Sequence, residues 1–396
     1  MMAREVGIVG VGHTRFGKWN GSFIDMCCQA AVEALEDAGI RRGSGQVDQL
    51  LLSTMGAQTL NHQSGVASAL VDTLNLRPAM AETVENGPAS GASAVKFAYT
   101  AIASGLCDVV LVIGAEMMRS VNSRRCTDLV ATLLHPKVEY PYGLTLPAVA
   151  GLFTRLYMDR YGVTEKDLAL VAIKNHHNAM YNPLAQFHFE LTDEKLFGEG
   201  ARNPYVAEPL RLYDVCPISD GAVALVLCAM DAADRFYRKP VEIRGIGQAT
   251  DTHTVAEREV PTDLLAVRLA SQRAYAMSGL TPQDIDVAEL HDAFVILEIV
   301  ESEEAGFFPR GQGHLAVRRG ETMIGGRIPI NTSGGLKAKG HPLGATGVSQ
   351  IHELVVQLRG EAGERQVKDA KAGLAINFGG FGNNVVATVL TRRESI

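Results

Sequence analysis

Residues 331–347 read NTSGGLKAKGHPLGATG, a glycine-rich turn that runs into small residues of helical character. The GGLKAKGH portion comes near a phosphate-binding P-loop. It places His341-Pro342 where a Lys-Ser or Lys-Thr pair is required, which excludes ATP binding. What it offers instead is an imidazole held ahead of Pro342 at the start of a helix. There the positive end of the helix dipole disfavours the imidazolium and keeps a neutral donor or base.

Leu343–Val348 has a partner elsewhere in the chain. Ser90–Val95 (SGASAV) parallels it at a constant offset, and each stretch leads through a helical segment into an apolar strand, CDVVLVIGA in one case and AGLAINFGG in the other. At that offset Pro88 is the counterpart of His341. Upstream of each copy lies a second matching pattern. VGIVGVGHT, AAVEALEDAGI and VDQLLLST answer to VEIRGIGQAT, LASQRAYAMSGL and VAEL, each reading strand, helix, strand, with Gly39 or Gly279 closing the helix. Strands so uniformly apolar suit a sheet covered on both faces. The sequence therefore predicts a duplicated α/β protein. Between the copies, from about Glu116 to Arg211, an insert rich in aromatic residues and histidines is expected to cover one face.

Composition narrows the functional classes. A net charge of −7 offers no general attraction to nucleic acid or an acidic membrane surface. The six cysteines contain no CxxC and read as free buried thiols. No apolar run approaches the ~20 residues that span a bilayer. The chain passes from Met1-Met2-Ala3-Arg4-Glu5 directly into a strand, leaving no room for a signal peptide, so a cytoplasmic location is the expectation. GIVGVGHTRFG misses the dinucleotide fingerprint because Arg15 occupies the third glycine position.

Two further stretches in the second copy carry chemistry. His291 in AELHDAF closes an apolar strand, with Asp292 beside it as a candidate site-lining residue. INFGGFGNN holds Asn377, Gly379 and Gly380, whose glycines let backbone N–H groups approach a ligand closely.

HDAF, then GGLKAKGHPLGATG, then NFGGFG, together with PLRLYDVCPISDGAVALVL and LVAIKNHHNAMYNP, resemble the thiolase superfamily in order over nearly the whole chain, above all its sterol-carrier-type and archaeal-type members. That resemblance implies a thiolase fold, a duplicated five-layer αβαβα arrangement with an inserted loop domain over the active site. It divides the chain into an N-terminal half (1–115 and 212–236), a loop domain (116–211) and a C-terminal half (237–396). It further implies a homodimer acting on acyl-CoA in lipid degradation, with coenzyme A as part of the substrate and no covalently bound cofactor. A small zinc-ribbon and OB-fold protein of the DUF35 type is the implied partner, and any metal would belong to that protein.

Aligning VENGPASGA with the family elbow VEAACASGG puts Pro88 on the nucleophilic cysteine. Proline also lacks the main-chain N–H that in the family helps to hold the acyl oxyanion. Ser90, two residues on, is turned by about 200° around the helix and is expected to point away. Ala293 and Asn377 fill two other family cysteine positions. By the same resemblance, His341 and His291 direct donors at the thioester oxygen, so the half of the site that stabilises an enolate remains. Three readings follow. The favoured one is retro-aldol cleavage of a 3-hydroxyacyl-CoA, although the cysteine-free aldolases of the superfamily carry tyrosines at the two histidine positions. The others are a thiolase or acyltransferase working without a cysteine acyl-enzyme, and a non-catalytic CoA-binding subunit of a larger complex.

Overall fold

In a computed structural model that describes residues 4–393, the strands are β1 (Val6–His13), β2 (Gln49–Ser53), β3 (Met80–Val84), β4 (Val109–Met117), β5 (Tyr205–Ala207), β6 (Leu210–Arg211), β7 (Asp220–Ala229), β8 (Val241–Thr250), β9 (Val287–Glu289), β10 (Ala372–Gly379) and β11 (Asn384–Arg392). The helices are α1 (Phe23–Ala38), α2 (Ala57–Asn61), α3 (Val66–Thr73), α4 (Ser90–Ala103), α5 (Ser123–Ala131), α6 (Leu146–Tyr161), α7 (Glu165–Met180), α8 (Asp193–Phe197), α9 (Leu265–Ser278), α10 (Val295–Glu304), α11 (Gly313–Arg318) and α12 (Leu343–Arg359). Met1–Ala3, which enter the reading of the leader, lie outside the described residues.

The duplication is written into the sheet. Its order is β3-β2-β4-β7-β1-β8-β11-β10-β9, and it divides between β1 and β8, which among the described residues are joined through just Gly7–Glu242 and Ile8–Val241. On either side the pairing repeats. β7 lies antiparallel between β1 and β4, as β11 lies between β8 and β10. β2 then runs parallel to β4, as β9 runs parallel to β10. Where β3 completes the first half, the second has a single parallel bridge from Ala288 to Ile330.

Close helix–strand contact repeats as well. A Cβ at Gly12 would strike the Ala30 carbonyl of α1, and one at Gly247 would strike the Ala270 carbonyl of α9. Both helices end on a glycine in the left-handed region, Gly39 at φ 75° and Gly279 at φ 74°, as the sequence predicts. Helices α1 and α3 cover the outer face of the first half, and α9 covers that of the second. Between the halves lie α4 and α12, giving five layers around separate apolar cores. The central helices touch through small residues. A Cβ on Gly91 would come within 2.8–3.0 Å of the backbone of Gly347 and Val348.

One boundary differs from the sequence reading. β4 continues through Glu116 to Met117, paired with Asp220, so the insert leaves the sheet two residues later than expected. Glu116 looks like the start of a loop, yet it is fully buried. Its carboxylate accepts from Thr54 Oγ1 (2.9 Å), Met55 N (2.8 Å), Gly56 N (2.9 Å) and Gly344 N (3.1 Å), tying the end of the first sheet to the first turn of α12. No helix among the described residues is long and apolar enough to cross a membrane.

Candidate active site

Helices α4 and α12 each begin two residues after the position that the duplication equates: α4 after Pro88, α12 after His341. Both positions face one cavity of about 740 Å³, roofed by the insert and walled mainly by apolar side chains such as Leu146, Phe189, Phe294 and Phe381. His291 opens on the same space. The two imidazoles stand nearly perpendicular, 85° apart, with ring centroids separated by 4.9 Å.

Each ring is fixed by its neighbours. The His341 backbone N–H donates to Ser219 Oγ (3.0 Å), and its Nδ1 lies 2.7 Å from the Thr346 hydroxyl in the first turn of α12. That hydroxyl also reaches the Pro342 carbonyl (3.0 Å), which already accepts from Ala345 N and Thr346 N. Rotation of the hydroxyl and the tautomer of His341 are therefore linked. When the hydroxyl turns to Nδ1, Nε2 carries the hydrogen and is a donor. His291 stacks on Phe378 (centroids 5.1 Å apart, 9° between planes), and its backbone N–H donates to Glu301 (2.8 Å). Its Nδ1 faces the Asn377 amide at 3.3 Å. Because Asn377 Oδ1 accepts from Ala92 N (3.3 Å), the NH2 side of that amide is turned to His291. Nδ1 is thus the acceptor, and Nε2 carries the hydrogen.

Burial sets the charge state. It pulls His341 down to about 3 and His291 well below its ordinary value, the second ring adding to the effect at His291. Both are neutral at any physiological pH, so the pair can stabilise negative charge by donating hydrogen bonds without carrying a positive charge.

The remaining residues singled out from the sequence divide. Gly380 borders this cavity and an adjoining one of about 690 Å³, whereas Gly379 faces only the second. Asn377 stands behind His291. Asp292 does not line the cavity, contrary to its place among the candidate lining residues, because its oxygens are occupied elsewhere. They accept from Leu336 N (2.6 Å), Lys337 N (3.3 Å) and Asn175 Nδ2 (2.7 Å), holding a wide helical turn at Gly335–Lys339. Burial and Glu298 raise its carboxyl to about 7.

The elbow presents Pro88 and nothing reactive. Ser90 Oγ donates to the Gly87 carbonyl (2.5 Å) and accepts from Asn86 N (2.7 Å), while Ser93 Oγ accepts from Asn86 Nδ2 (2.9 Å). Both hydroxyls are engaged with the elbow's own residues. Cys126 and Cys216 do reach the cavity, and burial raises their thiols to about 11 and about 12, so both are protonated. Sequence reasoning passed over Lys337 and Thr346, although both lie inside the quoted 331–347 stretch. Nothing in the one-letter pattern says which of two nearby lysines enters the cavity.

A duplicated five-layer α/β protein with one histidine at the second of two matched helix starts and another facing it from the end of β9 defines a class, the thiolase fold. A family model described as the thiolase N-terminal domain matches residues 6–231, and one described as thiolase C-terminal domain-like matches 247–392. The chain belongs to the thiolase family. It is similar to the acetyl-CoA acetyltransferase of Methanothermobacter thermautotrophicus, 40% identical over 390 residues covering 98% of this chain and all of the relative. Human sterol carrier protein 2 is 34% identical over 98% of this chain and 72% of its own length. Among solved structures, that of an Ltp2-ChsH2(DUF35) aldolase superposes over all of both chains with a TM-score of 0.85 and 28% identity.

Proposed function

We propose that this protein cleaves a 3-hydroxyacyl-CoA by a retro-aldol reaction, giving an aldehyde or ketone and a shorter acyl-CoA. The observation that carries the reading is the joint state of the two helix starts. Pro88 supplies neither thiol nor N–H, while two neutral imidazoles converge on the same space. Retro-aldol cleavage needs the second feature and not the first. Its electrons flow into the thioester as an enolate, whose oxygen receives hydrogen bonds from His291 Nε2 and His341 Nε2, the Thr346 hydroxyl then turned to His341 Nδ1. The whole-length similarity to an aldolase supports the same reading. That aldolase is named together with a DUF35 component, ChsH2, which supports a DUF35-type partner for this chain.

The 40% identity to an acetyl-CoA acetyltransferase favours a second reading, acyl transfer without a cysteine acyl-enzyme. One assay separates them: cleavage of 3-hydroxyacyl-CoA substrates beside CoA-dependent cleavage of the 3-oxo analogues. Turnover of the hydroxy compounds is expected. Turnover of the 3-oxo compounds alone would establish the second reading, and CoA binding with neither activity would indicate a binding subunit.

A further inference from the structure

Retro-aldol cleavage requires a base for the 3-hydroxyl, and the paired histidines are poor ones. Their environment opposes the cation that accepting a proton would create. The cavity wall holds one other nitrogen base, Lys337, at the centre of the wide turn Gly335–Lys339. Its side chain is only 1% exposed, yet Nζ makes no hydrogen bond or ion pair among the described residues. It sits instead 5.7 Å from the Phe187 ring centroid and 5.9 Å from that of Tyr213. A lysine this buried ordinarily has a carboxylate partner. Lys339, on the same turn, does have one, lying 3.6 Å from Glu289. Asp292 anchors the turn through the backbone N–H groups of Leu336 and Lys337, which leaves the Lys337 amine unclaimed.

We propose that Lys337 is the general base of the reaction, a role that rests on the aldolase reading above. The neutral amine takes the 3-hydroxyl proton, C3–O becomes C=O, the C2–C3 bond breaks and its electron pair passes into the thioester enolate held by the histidines. The ammonium then returns the proton to C2. Protons balance over the cycle, and no oxidant, reductant or metal enters.

The charge environment agrees with this role. Burial lowers the Lys337 ammonium to about 8, against the weaker upward pull of Asp214 and Asp292, so about a tenth is free amine at pH 7 and about half at pH 8. His176, another titratable neighbour, is itself held neutral, pushed to about 3 by burial and by the Lys337 charge.

The test uses the whole chain with 3-hydroxybutanoyl-CoA and 3-hydroxy-3-methylbutanoyl-CoA, following acetyl-CoA release. K337M is expected to lose about 10²-fold or more in kcat with KM within about threefold, as removal of a general base does. Wild-type kcat should rise with pH through about 8, and ethylamine should restore turnover to K337A, which a purely structural role for the lysine would not allow. Wild-type cleavage with K337M within about threefold of it overturns the lysine's role and leaves the aldolase reading standing. Absence of wild-type cleavage overturns both. If K337M does not fold, the wild-type profile decides, and a rate flat from about pH 6.5 to 9 refutes the base.

Discussion

His291 and His341 are oriented by groups that do not line the cavity: the Asn377 amide for one, the Thr346 hydroxyl for the other. On the proposed reading, replacing either histidine with alanine removes one donor from the enolate oxygen. The expected cost is about 2.7–4 kcal/mol of transition-state stabilisation, or 10²–10³ in kcat. The double variant should lose far less than the sum, since both donors serve one atom. These ratios should hold from pH 5 to pH 8, because the rings stay neutral throughout. Stability behaves differently. An unfolded histidine takes up a proton below about 6.5, while His341 in the fold resists until about 3, so this residue weakens the native state as the pH falls between those values. His341→Gln should therefore lose about 2 kcal/mol less than wild type between pH 7 and pH 5, read from denaturant midpoints at the two pH values. The histidines and Pro88 are legible in the sequence because they stand at fixed places in motifs. Lys337 is not, since only the wide turn sends it to the cavity while Lys339 goes to Glu289.

At the scale of elements, the elbow and its matching helix start govern covalent chemistry and rigidity. Incubation of wild type with acetyl-CoA should leave the intact mass unchanged, whereas Pro88→Cys, which restores thiol and N–H together beside His341, should gain one acetyl group. An adduct on wild type mapped to an elbow residue would mean that the elbow holds a nucleophile after all. Gly347→Ala probes the contact between α4 and α12. Its new Cβ would press on Ala92 N and on the Asn377 amide, and the expected loss is about 1–3 kcal/mol in denaturant unfolding. The helix starts could be read from the constant offset between the copies, and α1 and α9 from their closing glycines. The end of β4 could not. Glu116 is polar in a stretch where sequence reasoning expects a loop, and only the four donors that converge on it explain a carboxylate inside the sheet.

For the whole molecule, the sheet ends on β3, which pairs with β2 alone and exposes Met80, Glu82 and Thr83. An open edge of this kind invites a second strand. Light scattering at micromolar concentration is expected to give twice the chain mass, and a monomer would refute a second copy on that edge. The duplication has a further consequence. Pro88 belongs to the first copy, while His291, His341 and Asn377 belong to the second, and the copies meet across the layer of α4 and α12. A thiolase that stores its acyl group on the first copy must take its two substrates in turn, which gives ping-pong kinetics. On the retro-aldol reading, with that copy silenced and the second left whole, cleavage should depend on the concentration of one substrate and be indifferent to free coenzyme A. The kinetic order of the reaction therefore reports which copy of the motif is at work.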